Sequence, residues 1–165
     1  MKKLYLIRHA KSSWEDHLLS DHDRPLSDRG KHDAPIIADI LKSKNVIPGL
    51  VISSSARRAI KTAKIFSSTL NYSTEKIEIN SAIYEATTQG LINVINKIDD
   101  KYETVFMFGH NPGFTVLANI LGNKAIDNMP TCSVAELQLN IGTWNEAQAY
   151  CGKLTDFIFP KKDNF

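Results

Sequence analysis

Two histidines and three arginines stand where short apolar runs of this chain end. Leu4-Tyr5-Leu6-Ile7 stops at Arg8 and His9. Leu50-Val51-Ile52 stops at Ser53, Ser54 and Ser55, with Arg57 and Arg58 just beyond. Val105 to Phe108 stops at Gly109, His110 and Asn111. Ligands of open α/β sheets bind beyond the carboxyl ends of the strands. If the three runs are strands of one sheet, these residues gather at one edge, with no carboxylate cluster among them. Such a group needs an anion to neutralise it. A phosphoryl group suits it, because the planar guanidinium offers paired donors to phosphate oxygens.

Each part taken alone has a plainer explanation. A lone histidine at a strand end is more often a hydrogen-bonded structural residue than a catalyst. Arginines at a helix start usually face solvent. Positive charge there is mildly unfavourable, so something else should hold at least one of Arg57 and Arg58. The serine run reads equally as a loop with a helix cap. His17, His22 and His32 read as structural or solvated. Asp21 and Asp23 have the spacing of a metal-binding pair, but they fall in a loop rather than after a buried strand, so no metal is expected there. Cys132 and Cys151 fit no metal-ligand spacing and are expected as buried free thiols of a reducing compartment.

The elements that must position these residues alternate along the chain. Leu4 to Ile7 is continuously apolar, as a strand buried on both faces should be. Lys11 to Gly30 has no helical period and reads as a long loop, a kind that is usually functional. Asp33 to Lys42 carries Ile36, Ile37, Ile40 and Leu41 at helical spacing. Strand Leu50–Ile52 leads into a helix over Arg57–Leu70, and Lys76–Ile79 is a candidate edge strand. Gly90–Ile98 reads as a helix, Val105–Phe108 as a buried strand, and Gly113–Leu121 as a helix. Val134–Asn140 and Glu146–Leu154 alternate as strands, with Gly-Thr-Trp-Asn between them as a hairpin turn. This order argues for an α/β three-layer sandwich with a mainly parallel central sheet flanked by helices. No repeat or linker divides residues 1–165, so one domain is expected.

Composition adds limits. The 165 residues are 42% hydrophobic and 23% charged, ordinary for a globular protein. Twenty Lys and Arg against eighteen Asp and Glu leave +2, which implies neither a nucleic-acid nor a membrane partner. The first apolar run is cut at once by Arg8 and His9. It is too short for a leader or a span, so a cytoplasmic location is expected.

In combination the motifs say more. Leu4 to Trp14, LYLIRHAKSSW when read from Leu4, resembles the signature of the histidine phosphatase superfamily, the phosphoglycerate-mutase-like enzymes. Ala10 stands where that family usually has Gly, and this resembles the branch of SixA-type phosphohistidine phosphatases. Asp23 to Gly30 (DRPLSDRG) resembles the loop of that branch before the first helix. Ser53 to Ala63 (SSSARRAIKTA) resembles the pattern S-P-x-x-R-A-x-x-T-A, with Ser55 in place of proline. Phe108 to Phe114 (FGHNPGF) resembles the second histidine motif.

The resemblance implies a phosphoglycerate-mutase-like fold and a role for each matching position. His9 matches the nucleophile, and Arg8 its phosphate-binding neighbour. Arg58 rather than Arg57 matches the conserved arginine, and His110 the second histidine. Glu85 is the candidate proton donor. The implied reaction is attack by neutral His9 on phosphorus, a phosphohistidine intermediate, and its hydrolysis by water, with no cofactor and no metal. The implied substrate is phosphohistidine on a protein, such as a phosphorelay histidine domain. A phosphatase of small phosphorylated metabolites is the first alternative, though only Lys11–Gly30 and Ala82–Gly90 could cap the site. A silent phosphate-binding module is the second, and it would not need the nucleophile.

Overall fold

In the computed structural model, which describes residues 1–161, the Leu4–Ile7 run is the centre of a strand, β1 (Lys2–Arg8). Its alternation sends side chains to both faces of a sheet. Leu4 and Leu6 pack with Leu91, Ile95, Phe114 and Leu117 on one side. Tyr5 and Ile7 pack with Ala34, Ile37, Ala63 and Phe66 on the other. Both faces are therefore covered, and that is why the strand is apolar without interruption. Burying an aliphatic side chain contributes about 1.5–3 kcal/mol, so β1 alone anchors both halves of the core.

After β1 come α1 (Asp28–Ser43), β2 (Leu50–Ser53), α2 (Arg57–Thr69), β3 (Glu78–Ile79), α3 (Thr88–Asn96), β4 (Thr104–Gly109), α4 (Gly113–Leu121), β5 (Val134–Leu139) and β6 (Gly152–Ile158). The six strands form one sheet in the order β3-β2-β4-β1-β5-β6. The first four in that order run parallel, β5 runs antiparallel to β1, and β6 runs antiparallel to β5. Core residues of α1 and α2 cover one face, and those of α3 and α4 the other. The fold is the expected α/β sandwich with a mainly parallel sheet. Register decides the rest. Arg8 pairs with Gly109, and Ser53 with Phe108, so β1, β4 and β2 end level with one another.

Three expectations need correction. The first helix begins at Asp28, not Asp33, because Ser27 caps it by accepting the Gly30 N–H at 3.1 Å. Gly30 and Pro35 hide this start from the sequence. A Cβ on Gly30 would lie 2.2 Å from the Lys11 carbonyl oxygen, so Gly30 permits a close backbone approach rather than breaking the helix. The Gly-Thr-Trp-Asn turn does not close a tight hairpin. Trp144 is wholly buried in a single 3-10 turn, with its indole N–H donated to the Tyr102 carbonyl at 2.8 Å. Burying an indole is worth on the order of 4 kcal/mol, so the chain detours to do it and the last strand starts late, at Gly152. Finally, both cysteines are free, but Cys151 is only half-buried. Among the described residues no helix is long and apolar enough to cross a membrane.

Candidate active site

The level ends of β1, β4 and β2 bring His9, His110 and Ser54 together. The His9 amide donates to the Gly109 carbonyl at 3.0 Å, and the Ser54 amide to the Phe108 carbonyl at 2.9 Å. The two histidine rings lie 5.2 Å apart. Gly109 has no room for a side chain, since a Cβ would meet the Phe114 ring at 2.4 Å. The turn into His110 therefore depends on glycine.

His9 is 7% exposed. Its Nδ1 lies 2.7 Å from the Ala10 carbonyl oxygen. A carbonyl only accepts, so Nδ1 carries the proton and Nε2 presents a lone pair. Thr62 holds the adjoining backbone. Its hydroxyl accepts the Ala10 N–H at 3.0 Å and donates to the Arg58 carbonyl at 2.8 Å. That gives a physical reason for the threonine in the SSSARRAIKTA segment, four residues after Arg58. The Arg58 Nε donates toward His9 Nε2 at 3.4 Å, a long contact.

His110 Nε2 lies 2.7 Å from the Ser54 hydroxyl, which also accepts the Ala56 N–H at 3.2 Å. Accepting one N–H leaves the hydroxyl its own proton and a second lone pair, so it can donate to Nε2 of the tautomer with the proton on Nδ1 or accept from Nε2 of the other. That buried Nδ1 has no partner, and neither does the buried Arg8 Nε. Arg8 Nη1 is anchored on the Met129 carbonyl at 2.9 Å, which also accepts from Asn111 Nδ2 at 2.8 Å. The unpartnered Arg8 N–H beside neutral His9 suits an oxyanion, and the unpartnered His110 Nδ1 adds a second donor in the tautomer that carries its proton there.

Burial lowers the His9 pKa to about 3. The hydrogen bond to the Ala10 carbonyl opposes this, while His110, Arg58 and Arg8 push it further down. Burial, then Arg58, lowers His110 to about 4. Both rings are neutral at physiological pH. In phosphate-free buffer neither should titrate between about pH 8 and pH 5 when followed by NMR. A ring titrating near its ordinary 6.5 would contradict this. Because folding lowers both values, the unfolded chain binds more protons than the folded one below 6.5. The stability contributed by these rings is complete above that pH and is lost as pH falls toward about 4 and 3.

One expectation is overturned: a carboxylate does join the basic cluster. Asp21 comes from the loop before α1. Its backbone carbonyl accepts from Arg58 Nη1 at 2.7 Å, and its Oδ2 from Arg58 Nη2 at 3.1 Å. The same Oδ2 accepts the Tyr84 hydroxyl at 2.6 Å, and Oδ1 accepts Arg24 Nη1 at 3.0 Å. The Tyr84 hydroxyl above all, then Arg24 and Arg58, hold the Asp21 carboxyl well below the usual carboxylate range. The Asp21 bond in turn pushes Tyr84 up to about 12. Arg57 is exposed and reaches only the Asp23 carbonyl, at 3.3 Å. Both arginines in the first turn of α2 are thus held by the 21–23 segment, which offsets the unfavourable placement of charge there. No spacing in the sequence announces this, because Asp21 and Arg58 are 37 residues apart.

His22 is not a bystander. Its Nε2 lies 2.9 Å from the Ser55 hydroxyl, and its ring packs edge-on against Tyr84, which packs edge-on against His110. His17 and His32 are exposed, and His32 pairs with Asp33 at 3.2 Å. Glu85 is exposed, with φ of 54°, and shares a hollow of about 200 Å³ with His110. Among the described residues no three His, Cys, Asp or Glu side chains converge as metal ligands.

The profile of the family described as Histidine phosphatase superfamily (branch 1) matches residues 4–87. Arg8, His9, Arg58 and Glu85 fall inside that span, and His110 lies beyond it. An uncharacterized chloroplastic protein of Arabidopsis thaliana is 34% identical, over 99% of this chain and 80% of that protein. A structure from Agrobacterium tumefaciens described as the phosphohistidine phosphatase SixA superposes with a TM-score of 0.81 at 25% identity, over 97% of this chain and 99% of that one. The protein histidine phosphatase SixA complexed with tungstate superposes with the same TM-score at 18% identity, over 94% of this chain and 96% of that one.

Proposed function

Because this chain belongs to the histidine phosphatase superfamily, we propose that it hydrolyses phosphoryl groups through a phosphohistidine intermediate on His9, with phosphohistidine on a protein as its substrate. The observation that carries the reading is the state of His9: Nδ1 is committed to the Ala10 carbonyl, and the Nε2 lone pair faces the Arg58 guanidinium. The Nε2 atom attacks phosphorus, and the bond from phosphorus to the leaving group breaks. Arg8, Arg58 and His110 take the charge on the equatorial oxygens. Arg58 exchanges its long contact with Nε2 for a phosphoryl oxygen. Water then attacks the phosphorylated His9, the P–N bond breaks, and inorganic phosphate leaves. The positive charge this needs is supplied by the two guanidinium groups, so the reaction runs without a metal.

The preference for phosphohistidine follows from what can donate a proton. Asp21 is held ionised by Tyr84, Arg24 and Arg58, so it is a poor acid. Glu85 is exposed, and no hydrogen bond joins it to His9 or His110. An alkoxide leaving group requires an acid. A phosphohistidine ring can take a proton on its far nitrogen from water and depart as neutral imidazole, whose conjugate acid has a pKa near about 6.5. The test is turnover of phosphohistidine, aryl phosphate and alkyl phosphate in excess chelator, with Glu85→Gln alongside. Phosphohistidine should be turned over fastest, and Glu85→Gln should change it by less than about threefold. A loss from Glu85→Gln comparable to that of His9→Ala would make this a metabolite phosphatase that depends on an acid. Activity lost in chelator and restored by a divalent cation would overturn the metal-free part.

A further inference from the structure

Beside the catalytic cluster, α1 and α2 border a hollow of about 550 Å³. Buried Leu26 and half-buried Ile60 give it an apolar lining. Exposed Lys31 on α1 and Arg57, Lys61 and Lys64 on α2 give it charge. The last three recur at i, i+4 and i+7, which places them on one helical face. Among the described residues Lys31, Lys61 and Lys64 make no ion pair. The one acid in the lining, Asp23, faces His22 at 3.5 Å. In a chain whose net charge is only +2, four cations around one hollow are a local concentration that attracts a polyanion.

Position and surroundings narrow the occupant. His22 lines the hollow, bonds Ser55, and contacts Tyr84, which contacts His110. A ligand seated there lies next to the phosphoryl site. The Ser13 amide donates to the Pro25 carbonyl at 2.9 Å, and Pro25 is part of the lining. That pairing brings Ser13 alongside, and the next residue, Trp14, is 66% exposed with its ring stacked on the Arg24 guanidinium. An exposed indole near a charged groove with an apolar floor suits a protein surface better than a small anion. We infer that the hollow docks an acidic segment of the phosphorylated protein. Lys31, Arg57, Lys61 and Lys64 pair with its Asp and Glu carboxylates, and Leu26 and Ile60 receive an apolar side chain between them. The inference rests on the reading of a protein substrate above and deepens it, since it names what selects that protein.

Two assays separate the docking from the chemistry. The first follows the fluorescence anisotropy of a labelled, unphosphorylated peptide rich in Glu and Leu. The wild-type protein should bind it saturably, and added salt should weaken binding. The double variant Lys61→Glu/Lys64→Glu should bind at least about tenfold more weakly, and the Gln counterpart of the peptide should not bind. Equal binding by wild type and variant, or no binding, overturns the inference. Pyrophosphate that binds more tightly than the peptide, and loses that binding in the variant, would make the hollow a small-anion subsite and also overturn it. The second assay measures kcat/KM. The variant should hydrolyse an aryl phosphate like wild type, yet lose about tenfold on a phosphohistidine peptide carrying Glu residues and not on its Gln counterpart. If wild type hydrolyses neither phosphohistidine peptide, the proposed substrate is wrong, and the anisotropy result still decides the docking by itself.

Discussion

Replacing His9 with alanine is expected to lower turnover of aryl phosphate and phosphohistidine alike by about 10⁴-fold or more, because a nucleophile that forms the covalent intermediate has no substitute. Water is a poor replacement in a pocket where His9 is 7% exposed. The fold should survive. The side chain is neutral and makes one strong hydrogen bond, to the Ala10 carbonyl. The melting temperature is expected to stay within about 5 °C of wild type. Rapid quenching of the wild-type reaction should trap a phosphoryl group that is labile in acid and stable in base, and peptide mapping should place it on His9. A label on Ser54 or Cys132, or substantial activity in folded His9→Ala, would show that the nucleophile lies elsewhere.

The second large effect separates neighbours. Arg58→Ala is expected to lower kcat/KM on an aryl phosphate by roughly 10²–10³-fold, the range for losing one fixed donor to a developing oxyanion. Arg57→Ala should change it by less than about threefold. The two side chains start from consecutive residues of the first turn of α2 but end in different surroundings. Arg58 is 7% exposed, with Nε 3.4 Å from His9 Nε2 and both terminal nitrogens on Asp21. Arg57 is exposed and touches one carbonyl. Arg58→Lys should not rescue, because an ammonium is a point charge and cannot hold Asp21 while donating to a phosphoryl oxygen. The reverse ranking of Arg57 and Arg58 would place the wrong arginine in the site.

Glu85 and the 21–24 segment mark where reading from sequence loses its grip. Glu85 can be aligned, but its role depends on the distance and orientation of an exposed side chain at positive φ, and no pattern encodes that. Asp21 and His22 have the composition of an ordinary polar loop. They enter the site because Ser12 bridges to Leu26 and folds the loop back over α2. Tyr84 arrives from the opposite side, 63 residues away along the chain, to hydrogen-bond the same carboxylate.

The order of residues settles the local part of this protein. Apolar runs bounded by glycine, serine and charge define the buried strands. Their alternation with helical periods defines a mainly parallel sandwich. The strand ends point to Arg8, His9, Arg57, Arg58 and His110, and the family motif selects Arg58 from the arginine pair. These are legible because period and burial act over a few residues, and because a parallel sheet delivers its strand ends to one edge. The tertiary structure alone decided how those positions are wired. It set the proton of His9 on Nδ1 through the Ala10 carbonyl. It placed Ser54 on His110 Nε2. It also laid Asp21 across Arg58 and Arg24, so the cluster expected to be purely basic carries an ionised carboxylate. Each of these depends on loops meeting across tens of residues, and on burial that removes competing water. Neither quantity has a signature in the order of the amino acids.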